Sequence, residues 1–112
     1  MSDIFDPASE AGWTDLGNGV RRRVRSHRAE LMIVEFEFAA GAIGAQHSHP
    51  HVQASFIARG TFDVTIAGET RRLGEGATFI VPPDGVHGVV ALEDGLLVDS
   101  FAPRRDDFLR DR

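Results

Sequence analysis

Four of the five histidines fall in two places: His47, His49 and His51 within the run from Gly41 to Gln53, and His87 just after Pro82-Pro83-Asp84-Gly85. A neutral imidazole is the commonest protein ligand for a transition metal. His47 and His49 stand two apart, so on a β-strand both rings point to one face. Two imidazoles converging on one side of a barrel wall are half of a metal site. Gln53 shares their parity and can bring a carbonyl oxygen, and His87 opens a later strand able to lie alongside. His51 has the same parity, but Pro50 disturbs the strand before it, so a pocket-lining place, a place behind the ligands and a plainly structural one all remain open. The competing reading of a His-x-His pair is a set of surface or core histidines satisfied by backbone groups. A third histidine at a separate strand start, with glycines framing both segments, favours the metal.

The elements that must hold these residues are short strands. In Met32-Ile33-Val34-Glu35-Phe36-Glu37-Phe38 the even positions are apolar and two odd ones acidic, the pattern of a half-buried strand. Thr61 to Ile66 alternates likewise and runs through Ala67-Gly68-Glu69 into Thr70 to Leu73, which predicts a hairpin. Further strands are expected at 52–58, 77–81, 86–92 and 96–101, separated by glycine, proline and aspartate turn residues. Only the tail from Arg104 to Arg110 resembles a short helix. The expected fold is all-β, a sandwich or small barrel in one domain over residues 1–112. Such sheets leave edges open to pairing, so a homodimer is the expected assembly.

Composition narrows the chemistry. Apolar residues are 42% and charged residues 26%, which suits a folded globular domain and not a disordered chain. No apolar stretch is long enough to span a bilayer, and residues 1–7 show no basic segment followed by an apolar one. Cytoplasm is the expected compartment. The sequence has no cysteine, no tyrosine and no lysine, its twelve basic residues all being arginine, so thiolate zinc sites, phenol acids and Schiff bases are excluded. A net charge of −5 disfavours nucleic acid and anionic membranes as partners. The arginines between Arg21 and Arg28 are expected on a solvated strand face in preference to a phosphate site, and Trp13 in the core in preference to an edge or the mouth of the sandwich.

At these positions the chain resembles the cupin superfamily. Gly41, His47, His49, Gln53 and Gly60 fall on the spacing of its first motif (41–60), with Gln where Glu is usual. Gly76, Pro82 and His87 fall on that of the second (76–91), with Asp84 in place of Gly and Ala91 in place of Asn. Fifteen residues separate the motifs, as in a compact cupin, a double-stranded β-helix or jelly-roll barrel. Residues 13–20, 41–51, 93–98 and 99–108 are similar to a family of small cupins of pectin degradation. That family opens 4,5-unsaturated monouronates, released from pectin or alginate, into linear 5-keto-4-deoxyuronates.

The resemblance implies metal ligands His47, His49, Gln53 and His87 around one divalent transition ion (nickel, zinc, manganese or iron). It implies a small anionic sugar acid as partner, with Asp99 and Arg105 as catalytic residues. Phe101, Arg105 and His51 are the candidate substrate-binding residues. Asp99, between Val98 and Phe101 on an expected barrel strand, is the candidate for proton transfer, since burial raises a carboxyl pKa toward neutrality. Arg105 offers a planar fork to a sugar carboxylate. Glutamine contributes a neutral oxygen, so the ion keeps its full charge for an anionic ligand. An iron dioxygenase and a non-catalytic sugar-acid binder remain as alternatives from the same ligand set.

Overall fold

The computed structural model describes residues 4–110, which form ten strands, a single 3-10 turn at Ala8–Glu10 and one short helix. The strands are β1 (Thr14–Gly17), β2 (Val20–Arg28), β3 (Leu31–Phe38), β4 (Ile43–His47), β5 (Val52–Arg59), β6 (Phe62–Ile66), β7 (Glu69–Leu73), β8 (Thr78–Val81), β9 (His87–Ala91) and β10 (Gly95–Ala102); α1 is Asp106–Arg110. Six strands pair in the order β1-β2-β3-β10-β5-β8 and four in the order β4-β9-β6-β7, with every pairing antiparallel. The expected β sandwich is therefore present, with β6 and β7 joined by the two-residue turn Ala67-Gly68 at φ 50° and 85°. Positive φ at both residues matches the twist of a tight hairpin.

Period-two patterning decides which side chains face inward. On β3, Met32, Val34 and Phe38 are buried, while Glu35 and Glu37 face out beside Arg23 and Arg21 of β2, their register partners. Arg21 Nε meets Glu37 at 2.6 Å, Arg23 meets Glu35, and Arg25 Nη1 reaches Glu35 at 3.0 Å. The outward arginines thus form a cross-strand ion-pair ladder, a more structured face than the solvated one expected. Trp13 also departs from expectation. It is half-buried at an edge of the sheet, with the guanidinium carbons of Arg21 and Arg23 stacked over its ring at 4.2 and 4.4 Å.

Two apolar clusters fill the interior. One gathers Val20, Phe38, Ile57, Phe62, Val64 and Leu97; the other holds Met32, Val34, Phe101 and Phe108. Strand β10 runs between them, turning Leu97, Asp99 and Phe101 inward in succession. A carboxyl therefore sits on an inward position flanked by apolar residues of both clusters. Helix α1 docks Phe108 edge-on against Phe36 and Phe101, at 6.0 and 5.6 Å between ring centres.

Candidate metal centre

His47 is the last residue of β4 and lies directly opposite His87, the first residue of β9. His49 falls beyond the end of β4, so it reaches the site from a turn and does not share a strand face with His47 as the spacing predicts. The register is already irregular between Gly44 and His47, and Pro50 cannot continue the ladder. The turn after β8 takes over: the Asp84 N–H donates to the His49 carbonyl at 2.8 Å, pinning that loop from the far side. Asp84 has φ 63°, the left-handed region that aspartate tolerates better than most side chains, which is how it stands where the motif carries glycine. Gly88 is needed for space. A Cβ there would lie 2.8 Å from the Gly44 carbonyl oxygen, so only glycine lets β9 approach β4 beside His87.

Each imidazole is oriented the same way. His47 Nδ1 meets the Ala45 carbonyl at 2.8 Å, His49 Nδ1 the His51 carbonyl at 3.1 Å, and His87 Nδ1 the Gly85 carbonyl at 2.9 Å. A carbonyl only accepts, so Nδ1 carries the hydrogen in all three rings and Nε2 keeps a lone pair. One ring nitrogen from each histidine lies within 4.8 Å of the others. Burial is the leading cause that pushes His49 and His87 below the ordinary histidine pKa, with the charge of Arg105 acting in the same direction. They are neutral at neutral pH, as ligation requires.

Gln53 arrives from the other sheet, on β5, opposite Phe101. Its amide nitrogen donates to Ser55 Oγ at 3.0 Å and to Asp99 Oδ2 at 3.4 Å, which turns Oε1 toward His49 Nε2 at 3.0 Å. In the tautomer fixed by the carbonyls both of those atoms are acceptors. Two lone pairs held face to face repel unless a cation lies between them, so three imidazoles and one amide oxygen fit a divalent ion.

Asp99 sits opposite Ser55 of β5 and Val34 of β3, with 4% of its surface exposed. Burial pushes its pKa from the ordinary 3.8 up to about 7, and a hydrogen bond from Ser55 pulls weakly the other way. Its Oδ1 is buried with no hydrogen-bond partner among the described residues. A cavity of about 320 Å³ is lined by Asp99, His47, Gln53, His87, Phe101 and Arg105, among others. Arg105 is held by two bonds to Asp107, at 3.1 and 2.9 Å, and packs over the Phe108 ring at 4.1 Å and the Phe101 ring at 5.2 Å. His51, like His49, is not among the residues lining that cavity; its ring stands edge-on to His49 at 5.6 Å, and its carbonyl fixes the His49 tautomer.

Two lining or supporting residues went unread in the sequence. Arg22, expected on the solvated face with its neighbours, is 5% exposed, lines the cavity and lies 4.1 Å from the Phe108 ring centre. The signal was available, since Val20, Arg22 and Val24 share the inward parity of β2. Ser55 had no such signal, because a serine on a strand is unremarkable until its partners are known.

Two packed antiparallel sheets with His47, His49 and Gln53 in one segment and His87 at a later strand start define the class. The chain belongs to the cupin family: the family model described as Cupin domain matches residues 34–98, more than half of its length. It is 43% identical over 102 residues to the pectin degradation protein KdgF of Dickeya dadantii (strain 3937), an alignment covering 89% of this chain and 93% of that one. Among solved structures, KdgF from Halomonas sp. superposes with a TM-score of 0.89 at 42% identity, covering 93% of this chain and 96% of that one. An RmlC-like cupin from Shewanella frigidimarina NCIMB 400 superposes at 0.92 with 37% identity over 96% of both chains. No helix among the described residues is long and apolar enough to cross a membrane.

Proposed function

We propose that this cupin is a metal-dependent isomerase of pectin or alginate breakdown, opening 4,5-unsaturated monouronates to linear 5-keto-4-deoxyuronates. The similarity to two KdgF proteins over nearly the whole chain supports an enzyme of pectin degradation. The observation that carries the finer reading is the buried Asp99 carboxyl, its Oδ1 unpartnered, on the same cavity as two of the imidazoles and Gln53. The volume of about 320 Å³ is at the small end of the ligand-site range, roughly 300–1,000 Å³, which suits a single sugar ring.

His47, His49, His87 and Gln53 would hold the divalent ion. When bound, the ion supplies Lewis-acid stabilisation where negative charge grows on the ring oxygen beside the sugar carboxylate. All other steps belong to the chain's own groups. Asp99, titrating near neutrality, accepts the proton of the anomeric hydroxyl as the bond between C1 and the ring oxygen breaks. C1 becomes the aldehyde carbon and the ring oxygen an enolate. The same carboxyl returns the proton to C4, which leaves the 5-keto acid with no net change in oxidation state. Arg105 presents its guanidinium to the sugar carboxylate, and Phe101 keeps the wall beside Asp99 apolar.

The test is direct. Metal-loaded protein mixed with an unsaturated monouronate should abolish the ultraviolet absorbance of the conjugated enol ether and yield the keto acid by NMR, with no oxygen consumed. Oxygen uptake would favour the iron dioxygenase instead. Binding without turnover, with each of nickel, zinc, manganese and iron, would leave a sugar-acid binder. For the assembly, we propose a homodimer through the outer face of β5, β8 and β10. Phe56 and Ile80 are 45% and 59% exposed there, beside Ala54, Thr78, Val98 and Ser100, with no charge among them. An apolar patch of this kind, bordered by Glu35 next to Val98, suits a self-complementary contact with a second copy.

A further inference from the structure

We infer that Ser55 is a positioning residue that locks the Gln53 amide with its oxygen toward the metal site; the inference rests on the metal-centre reading above. A glutamine amide has two nearly isosteric ends, an acceptor oxygen and a donor nitrogen, and only the oxygen can face a cation. Nothing in the chain of Gln53 itself selects between them. Its surroundings do: the nitrogen donates to Ser55 Oγ at 3.0 Å and to Asp99 Oδ2 at 3.4 Å. The shorter bond is the stronger one, and 3.4 Å is near the limit of a hydrogen bond. Ser55 is 3% exposed, so no solvent replaces it as an acceptor if the hydroxyl is removed. Strand register builds this arrangement. Gln53 and Ser55 share the inward parity of β5, and Ser55 lies directly opposite Asp99 on β10. The hydroxyl thus holds the amide nitrogen beside the proton-transfer carboxyl.

The test uses cobalt(II) alone as probe, titrated calorimetrically into the metal-free full chain, with the visible spectrum of the loaded protein as a second readout. Ser55→Ala should weaken cobalt binding by about 10- to 100-fold, the usual cost of losing an outer-shell partner. The spectrum should shift as the amide oxygen leaves the coordination sphere. Ser55→Thr, which keeps the hydroxyl, should restore both. In a Gln53→Ala background, Ser55→Ala should change cobalt affinity no further, since its effect passes through the amide. This comparison carries the test even where the threonine is too large to fold. Unchanged affinity and spectrum in Ser55→Ala, or an equal loss in the Gln53→Ala background, would overturn the inference while leaving the metal site standing. Failure of the unmutated protein to take up cobalt would overturn the metal reading and this inference with it.

Discussion

Replacing Asp99 by asparagine separates the catalytic from the structural cost of burying a carboxyl. In the folded protein its pKa is about 7, against 3.8 ordinarily, with burial the main cause. Below about pH 4 the group is protonated in both folded and unfolded chains and favours neither. As pH rises, the unfolded chain releases its proton first while the folded one retains it, so stability falls through the interval up to about pH 7. Above that, the loss is complete. At about 1.4 kcal/mol for each pH decade, the total is on the order of 4 kcal/mol. Asparagine does not titrate, and its carbonyl can still accept from Gln53, so metal-free Asp99→Asn should escape the loss. Urea unfolding of both metal-free proteins from pH 4 to pH 8 measures the difference. The variant should gain on the unmutated protein across that range, while its turnover drops by about 10²- to 10⁴-fold with metal content unchanged. Parallel pH profiles would refute the buried-carboxyl argument, and retained turnover would remove Asp99 from the chemistry.

Other perturbations address the remaining parts. Arg105→Gln should raise KM for the uronate by about 10- to 100-fold, as loss of a charge-assisted bond does, with cobalt uptake unaffected. Burial holds His49 and His87 below the ordinary histidine range, so protons compete poorly with metal for these two nitrogens near neutrality; calorimetric affinity should fall as the solution is made more acid, and an affinity that rises with acid would refute the reading. Phe108→Ala removes a buried ring that supports Arg22 and Arg105, and should cost about 3–5 kcal/mol in denaturant unfolding. Phe56→Asp should convert a dimer to a monomer in sedimentation velocity, with turnover retained.

Residues that act through type and spacing were legible before any coordinates. His47, His49, Gln53 and His87 stand out through the spacing of the two cupin motifs, where a His-x-His pair alone also fits satisfied core or surface histidines. Asp99 stands out through the family resemblance, with apolar Val98 and Phe101 beside it marking a strand with one face toward the core. The route by which His49 arrives was not legible. Strand parity predicts that it shares a face with His47, whereas a broken register and Pro50 hand the work to a turn, and the Asp84 N–H supplies the anchor from a segment 35 residues on. Arg22 was hidden by its own surroundings: within a run of arginines, charge suggests solvent, and only the alternation with Val20 and Val24 marks it as inward. Ser55 was hidden for a different reason, because hydrogen-bond partners across strands depend on register, and register is a property of the folded sheets.

The amide at position 53 and the carboxyl at position 99 explain each other. Their polar ends are 3.4 Å apart in a site that excludes solvent from both. A glutamate at position 53 would place a second negative charge against Asp99, and each carboxylate would disfavour ionisation of the other. Glutamine avoids that conflict by donating to the carboxylate it faces, which favours the ionised form that must act as base. The same substitution leaves the bound ion without an anionic protein ligand, so its charge is fully available to a carboxylate on the substrate. One change of residue type therefore serves both the base and the electrophile, and the division works only while the amide keeps its oxygen on the metal side.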